Sequence, residues 1–288
     1  TFERLLQSTG KTVYSMITQI TGAVINLIMD PILIFGLFGA PKMGIAGAAV
    51  ATVMGQIIAG IFCVVINQTK NKEINCSFKG FRPSKVAIGR IYKVGVPSII
   101  MQSIGSVMTL GFNAILMQFT STAVSVFGVY FKLQSFIFMP IFGLNNGMVP
   151  IIAYNLGAKK PDRMLKTIKL GSLYATLIMV LGFAAFQLIP GFLLSVLFQA
   201  SAQMLEIGVT ALRIISFSFL LAGFGIVCST TFQALGHGML GLITSLVRQL
   251  VGILPIAWLL SLTGRLEMVW WAFPLAELVS MALSTLFL

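Results

Sequence analysis

Apolar residues fill the chain in eight long runs separated by short polar segments. Each run has roughly 20 residues, which is the length a helix needs to cross about 30 Å of hydrocarbon. Helices are expected because lipid cannot hydrogen bond to unpaired backbone groups. The pattern predicts an all-α, polytopic integral membrane protein. The predicted spans are 13–37, 45–66, 94–118, 123–148, 170–190, 208–230, 239–261 and 268–288.

Composition supports the same fold class. Of the 288 residues, 57% are apolar and 9% are charged, whereas soluble domains carry about 25% charged residues. The mean hydropathy is +0.98. The net charge of +12 does not indicate nucleic-acid binding, because the basic residues lie in short loops between apolar runs rather than on a basic face interleaved with aromatics. The lipid bilayer is therefore the expected partner of most of the surface.

Lysine and arginine are concentrated in alternate loops. Loops on one side carry 14 of the 19 basic residues, and the opposite loops carry Lys42 and Arg265. By the positive-inside rule, the rich side is cytoplasmic. We therefore expect a multi-pass protein of the bacterial inner (plasma) membrane, with the basic loops 68–93 and 155–169 in the cytoplasm.

The longest connection between spans suggests a division of the chain. Segment 68–93 is basic and amphipathic, and we interpret it as a cytoplasmic linker between two bundles. Residues 1–67 would supply the last two helices of an N-terminal lobe. Residues 94–288 would form a C-terminal lobe of six helices.

A weak internal repeat supports this division. Gln7 and Gly10 recur 226 residues later as Gln233 and Gly236, and the dipeptide 17–18 recurs as 243–244. Each copy leads from a cytoplasmic loop into an outward-going helix. The register predicts that four helices, about 130 residues, precede the first copy in a complete protein. We therefore expect twelve helices in two pseudo-symmetric bundles, an arrangement typical of transporters.

Enzyme chemistry is not indicated by any motif. The single histidine, His237, lies in a cytoplasmic loop, and the three cysteines have no metal-ligand or disulfide spacing. No phosphate-binding loop or nucleophile motif is present. We expect no enzyme activity and no cofactor. An ion gradient of H⁺ or Na⁺ is the remaining source of energy for transport.

Asp30 is the first ionisable residue within a span. It lies about 25 Å along its helix from the cytoplasmic end, at 1.5 Å per residue. Asn26 shares its helix face because the two are four residues apart. Pro31 cannot donate an amide and so frees a carbonyl one turn earlier. These oxygens could hold a proton or a sodium ion. Alternatively, Asp30 is a structural polar residue.

Other polar residues within spans are candidates for a substrate cavity. Glu277 and Lys132 lie at similar depth, so we expect an ion pair between them, while a role in coupling or substrate binding is the alternative. Arg213 and Arg248 are expected to be structural. The neutral candidates could line a wet cavity or make interhelical hydrogen bonds. They are Gln102, Asn113 and Gln134.

Several stretches resemble the multidrug and toxic compound extrusion (MATE) family of transporters, in particular its bacterial MepA-type branch. The resemblance covers essentially the whole chain. The stretches are 26–36 (NLIMDPILIFG), 43–52 (MGIAGAAVAT), 134–143 (QSFIFMPIFG), 150–158 (PIIAYNLGA), 232–236 (FQALG) and 245–249 (SLVRQ).

The resemblance implies twelve helices in two lobes and export of cationic, amphipathic drugs in exchange for H⁺ or Na⁺. It also implies that Asn26, Asp30 and Thr52 match a first-lobe cation site found in some members. One departure concerns the second lobe. Spans 94–118 and 208–230 carry no acidic residue where some relatives do, which leaves Glu277 as the remaining carboxylate there.

Three alternatives stay open at this stage. A lipid-linked oligosaccharide or polysaccharide flippase would need a strongly cationic cavity, for which Lys132, Arg213 and Arg248 are the available residues. An intramembrane enzyme would need facing carboxylates. A non-transporting scaffold would tolerate neutralisation of Asp30. We favour a multidrug antiporter that acts as a monomer on small cationic drugs.

Overall fold

The computed structural model describes residues 2–71, 73–74 and 84–287. The chain divides into two compact units, Thr1–Arg82 and Pro83–Leu288, here called the first unit and the second unit. The predicted all-α membrane fold is confirmed. In the described part, seven helices are long and apolar enough to cross a membrane, and a bent pair of shorter helices brings the number to eight.

The first unit is a short helix followed by a helical hairpin. A 3-10 turn at Leu37–Gly39 joins the two long helices. The helices are α1 (Phe2–Ser8), α2 (Thr12–Phe35) and α3 (Ile45–Lys70). Helices α2 and α3 are apolar over most of their length and pack along each other. Their bounds correspond to the predicted spans 13–37 and 45–66.

The second unit contains the remaining helices, which surround a core of aromatic side chains. The helices are α4 (Lys85–Met117), α5 (Ser121–Gly157), α6 (Pro161–Leu188), α7 (Pro190–Phe198), α8 (Ala202–Ser216), α9 (Phe219–Ala234), α10 (Gly238–Leu246), α11 (Leu254–Ser261), α12 (Leu266–Trp270) and α13 (Ala272–Phe287). A π-helical segment, Val247–Ile253, joins α10 to α11. The core rings lie with neighbouring centroids 4.6 to 6.3 Å apart and belong to Phe112, Phe127, Tyr130, Trp270 and Phe273.

The basic segments are more helical than predicted. Of segment 155–169, residues 158–160 connect two helices and the rest belongs to α5 and α6. Of segment 68–93, residues 68–70 end α3 and residues 85–93 begin α4. Several spans therefore continue as helices beyond their apolar part, because lysine and arginine are good helix formers. Lys72, Lys79 and Arg82 lie outside the described residues.

The predicted repeat is visible in the backbone at two matching helix junctions. Gly10 (φ 75°) and Gly236 (φ 82°) are both left-handed. The following residues, Lys11 (φ −89°, ψ 47°) and His237 (φ −92°, ψ 49°), also match. Each of these two residues donates its amide to the carbonyl five positions earlier, at 2.8 Å. The chain thus makes the same turn twice, 226 residues apart.

The match extends into the helices that follow. Shifting the bounds of α2 by 226 residues gives Gly238–Ser261, the bounds of the continuous helical run from α10 to α11. Inside these runs, the Thr18 hydroxyl donates to the Ser15 carbonyl at 2.8 Å. The Thr244 hydroxyl donates to the Gly241 carbonyl at 2.9 Å. The duplication inferred from a few identities is therefore supported by matching helix bounds and by one matching side-chain hydrogen bond, although the second copy contains a π-helical segment that α2 lacks.

Candidate functional site

Asn26, Asp30 and Thr52 form a hydrogen-bonded polar cluster in the first unit. The side-chain amide of Asn26 donates to Asp30 Oδ1 at 3.3 Å and to Thr52 Oγ1 at 3.3 Å. Thr52 donates its own proton to the Ala48 carbonyl at 2.9 Å. Asn26 and Asp30 are partly exposed in this unit, and Thr52 is exposed. The structure therefore brings together the three residues that were selected from the sequence and from its resemblance to a transporter family.

Small residues allow α2 and α3 to approach closely enough for this contact. A Cβ atom on Gly47 would lie 2.5 Å from the Leu33 carbonyl oxygen, and one on Gly55 would lie 2.8 Å from the Gly22 carbonyl oxygen. Larger side chains at these positions would push the helices apart. The glycines thus place Thr52 within reach of Asn26.

The polar cluster is rich in oxygen atoms that suit a proton or a hard cation. Asp30 supplies a carboxylate, Thr52 a hydroxyl and Asn26 an amide oxygen, since the Asn26 nitrogen makes the observed hydrogen bonds. Pro31 has no amide proton for the Leu27 carbonyl one turn earlier. Among the described residues, no three His, Cys, Asp or Glu side chains come together as a transition-metal site.

The second unit contains a cavity of about 380 Å³ between α4, α5, α9, the π-helical segment and α13. Seven of the fifteen lining residues are aromatic or methionine, and six are polar or charged. The lining residues are Met108, Tyr130, Phe131, Gln134, Ser135, Phe138, Met139, Phe142, Ser218, Ala222, Arg248, Gln249, Ile253, Phe273 and Glu277. An apolar wall with a small number of polar groups is typical of ligand pockets.

Two of the five residues predicted for a cavity, Gln134 and Glu277, line this one. Gln102 is exposed on α4, and Asn113 is partly buried on the same helix. The Asn113 Oδ1 atom is buried without a hydrogen-bond partner in the described part of the chain. Gln102, Asn113 and Lys132 do not contribute to the lining.

Glu277 pairs with Arg248 instead of Lys132. The Arg248 Nη1 and Glu277 Oε1 atoms are 3.6 Å apart, and the Glu277 residue is 6% exposed. Lys132 is exposed, and its ammonium lies over the Phe198 ring, 5.9 Å from the centroid. The predicted ion pair between Lys132 and Glu277 is not formed in the described structure. Similar depth in the membrane did not imply a shared face, because Lys132 on α5 points toward α7.

Arg248 lies in the π-helical segment Val247–Ile253. Pro255 follows this segment and cannot donate to the carbonyl of Val251, so the regular hydrogen-bond ladder is interrupted there. A π-turn holds an extra residue and rotates the following face of the helix. Gly252 then packs against α13, where a Cβ atom would lie 2.9 Å from Ala276 Cβ.

A break in the predicted span 208–230 also lies beside the cavity. The helices α8 and α9 are bent by 51° at Phe217 and Ser218. Ser218 lines the cavity and donates its hydroxyl to the Ile215 carbonyl at 2.7 Å. The Ile215 carbonyl at the bend therefore accepts from both the amide, at 3.0 Å, and the hydroxyl of Ser218. Ordinary apolar periodicity gave no signal for this break.

Tyr130 lines the cavity and was not among the candidate residues predicted from the sequence. It is 1% exposed, and its hydroxyl has no hydrogen-bond partner within the described residues. A buried tyrosine hydroxyl usually finds a partner. Many aromatic residues lie in the predicted spans, and nothing in the sequence distinguishes Tyr130 from the others.

The MatE family profile matches residues 97–259, more than half of the chain. Two curated relatives are multidrug export proteins MepA. The one from Staphylococcus haemolyticus is 31% identical over 277 residues, covering 96% of this chain and 60% of that protein. The one from Staphylococcus saprophyticus is 30% identical over 280 residues, with the same coverage. The chain spans about 60% of the length of these relatives.

Solved structures share the fold. An outward-facing multidrug resistance MATE family transporter of the MOP superfamily matches with a TM-score of 0.90 and 22% identity. A MOP superfamily transporter from Pyrococcus furiosus matches with a TM-score of 0.91 and 22% identity. Each alignment covers 99% of this chain and 64% of the solved chain.

Proposed function

Because the chain belongs to the MatE family, we propose that it is part of a secondary active multidrug efflux transporter. The protein would exchange cationic, amphipathic drugs for H⁺ or Na⁺ by alternating access, and it would act as a monomer. The observation that carries this proposal is the hydrogen-bonded cluster of Asn26, Asp30 and Thr52, which joins α2 to α3 within a membrane-spanning hairpin.

Asp30 is proposed as the residue that binds the coupling ion. A carboxylate within a span is costly and is a functional candidate by default. Its binding of a proton or Na⁺ would change the hydrogen bond from Asn26, which also contacts Thr52 on the neighbouring helix. Ion binding would therefore alter the contact between α2 and α3. A ligand that favours one arrangement of these helices shifts the population of the two.

The cavity of the second unit is proposed as part of the drug-binding surface. Its aromatic walls can hold flat apolar rings, and methionines such as Met108 and Met139 adapt to ligands of different shape. The carboxylate of Glu277 can attract a cationic group. These features support a preference for amphipathic cations over neutral sugars.

The bent pair α8–α9 and the π-helical segment are proposed as bending points for alternating access. Both interruptions lie next to the cavity. Irregular backbone at membrane depth is tolerated where it is buried in protein or lines a cavity. The basic segments 68–93 and 155–169 are proposed to face the cytoplasm of a bacterial cell.

Ethidium efflux from cells that express the complete reading frame tests the proposal. We would compare the wild type with Asp30→Asn while collapsing the proton and sodium gradients separately. Asp162→Asn is the matched control, because Asp162 is an exposed carboxylate in the first turn of α6. We expect Asp30→Asn to abolish efflux at normal expression and Asp162→Asn to preserve it.

The gradient whose collapse stops wild-type efflux would identify the coupling ion. Undiminished efflux by Asp30→Asn would exclude Asp30 as the coupling residue. Failure of the wild type to export ethidium or other cationic dyes would reject the drug-efflux proposal.

A further inference from the structure

Helix α6 has one face that packs into the second unit and an opposite face that is exposed. On the packed face, a Cβ atom on Gly171 would lie 2.2 Å from Met148 Sδ of α5. The opposite face carries Leu173, Leu177 and Leu181, whose exposed fractions are 54, 51 and 71%. Because α6 is long and apolar enough to cross a membrane, lipid acyl chains are the expected contact of these leucines.

The exposed face of α6 becomes basic toward the start of the helix. Lys166 and Lys169 lie seven and four residues before Leu173, and Arg163 lies seven residues before Leu170. Residues at these spacings share one face of a helix, and all five side chains are exposed. The face that meets acyl chains therefore continues directly into three cationic side chains.

Helix geometry places this change at the depth of the lipid headgroups. At 1.5 Å per residue, the run from Leu170 to Leu181 covers about 16 Å, roughly half of a 30 Å hydrocarbon core. The headgroup layer on each side is about 5–7 Å thick. Lys166 and Lys169 lie within that layer, and Arg163 lies just beyond it. The long stems of such side chains follow apolar surface while their charges stay in polar surroundings.

The basic residues around the start of α6 have no counter-charge among the described residues. Segment 158–170 contains five basic residues and one acidic residue, Asp162. In the described part of the chain, none of these six residues takes part in an ion pair. The basic residues are Lys159, Lys160, Arg163, Lys166 and Lys169. Such cations at headgroup depth attract the phosphate of an anionic lipid, whereas a zwitterionic lipid brings its own cation.

We propose that the basic face of α6, formed by Arg163, Lys166 and Lys169, binds the phosphate headgroup of an anionic phospholipid whose acyl chains lie along Leu173 and Leu177. The lipid belongs to the leaflet at this end of α6, which is the cytoplasmic leaflet in the proposed orientation. This site goes beyond the proposed function, because it binds a lipid and does not depend on what the protein transports.

A fluorescent reporter beside the basic face tests the site. Leu170→Cys would be labelled in the complete protein after its native cysteines are replaced, and the protein would be reconstituted into phosphatidylcholine vesicles. Nitroxide-labelled phosphatidylglycerol and nitroxide-labelled phosphatidylcholine with the same chains would serve as quenchers. We expect phosphatidylglycerol to bind beside the reporter on the order of tenfold more tightly, as for several basic residues near one phosphate. Added salt should reduce this preference, because exposed charges are screened.

Two variants of the basic face separate charge from shape. Arg163→Gln, Lys166→Gln and Lys169→Gln combined remove the three charges, and we expect the two lipids then to bind equally. Lys166→Arg combined with Lys169→Arg keeps the charges and should keep the preference.

A charge-matched control removes three basic residues elsewhere. It combines Lys42→Gln, Arg213→Gln and Arg265→Gln, which are exposed residues outside α6. Because its net charge equals that of the neutral variant, the wild-type preference should persist if the basic face itself binds the lipid.

Each contrary result would overturn the proposal. These results are equal quenching of the wild type by both lipids, an unchanged preference in the neutral variant, and an equal loss of preference in the charge-matched control. Loss of the preference on addition of inorganic phosphate at the concentration of the lipid would also overturn it, because the site would then recognise phosphate without a lipid. If the neutral variant does not fold, Lys169→Gln alone decides: a reduced preference supports the site, and an unchanged preference overturns it.

Discussion

Gly22 of α2 and Gly55 of α3 lie where the two helices of the first unit touch backbone to backbone. A Cβ atom on Gly55 would lie 2.8 Å from the Gly22 carbonyl oxygen, and one on Gly22 would lie 3.2 Å from the Gly55 carbonyl oxygen. Neither contact can be relieved by turning a flexible side chain. The close approach lies one turn from Asn26 and Thr52, so the polar cluster depends on it.

We expect Gly55→Ala to destabilise the protein by about 1–3 kcal/mol, the usual cost of overpacking. Gly60→Ala on the same helix is the control, because a Cβ atom there meets no atom within 4 Å. The control should melt at the wild-type temperature or above, since alanine favours helix more than glycine does. Thermal melting of the purified protein in detergent would measure both. Similar melting of the two variants would contradict the close contact.

The hydroxyl of Thr52 gives a second prediction. Thr52→Val keeps the shape of the side chain and removes the acceptor for the Asn26 amide. We expect the apparent affinity for the coupling ion to fall about two- to tenfold, as for one hydrogen bond of about 0.5–1.5 kcal/mol. The measurement is the half-maximal pH or sodium concentration for dye transport in inverted vesicles.

Thr69→Val is a closely matched control for this prediction. Thr69 is exposed on α3 and donates to the Val65 carbonyl at 2.8 Å, the same backbone bond that Thr52 makes to Ala48. Both variants therefore lose a bond of this kind, but only Thr52→Val also loses the contact with Asn26. Equal affinities in the two variants would argue against a role for Thr52 at the ion site.

Most of the fold could be predicted from the sequence because lipid leaves few alternatives to helices. The predicted span 239–261 differs by one residue from the observed run Gly238–Ser261. The repeat was also predictable, because a few identical residues spaced 226 positions apart were enough to detect it. The proximity of Asn26 and Asp30 followed from helix periodicity alone.

Contacts between helices were harder to predict. Arg248 lies in a π-helical segment, and no 3.6-residue periodicity predicts such a segment. The bend at Phe217 and Ser218 lies in a stretch that is apolar enough to pass as a straight span. Similar depth in the membrane predicts Lys132 as the partner of Glu277, but depth does not determine which helix faces meet, and Arg248 is the observed partner.

The repeat also indicates how the two copies have diverged. In its register, Asn26 and Asp30 correspond to Gly252 and Ile256, which carry no ionisable group. Arg248 corresponds to Gly22, and Glu277 corresponds to Ala51. Each copy therefore has polar groups where the other has small or apolar residues.

Gln187 provides the third prediction, at the bend of the second unit. Its side-chain amide, on α6, donates to the Arg213 carbonyl at 2.9 Å and to the Ser216 hydroxyl at 3.0 Å. Ser216 is completely buried and donates in turn to the Arg213 carbonyl at 2.8 Å. Gln187 therefore satisfies groups just before α8 bends into α9.

We expect Gln187→Leu to lower stability by about 0.5–1.5 kcal/mol, because one partly buried and one exposed acceptor lose their donor. Gln118→Leu is the control, since Gln118 is exposed at the end of α4 and makes no side-chain hydrogen bond within the described residues. Thermal melting in detergent would compare the two. If both variants melt together with the wild type, the bend is maintained by packing alone, and the hydrogen bonds of Gln187 contribute nothing to it.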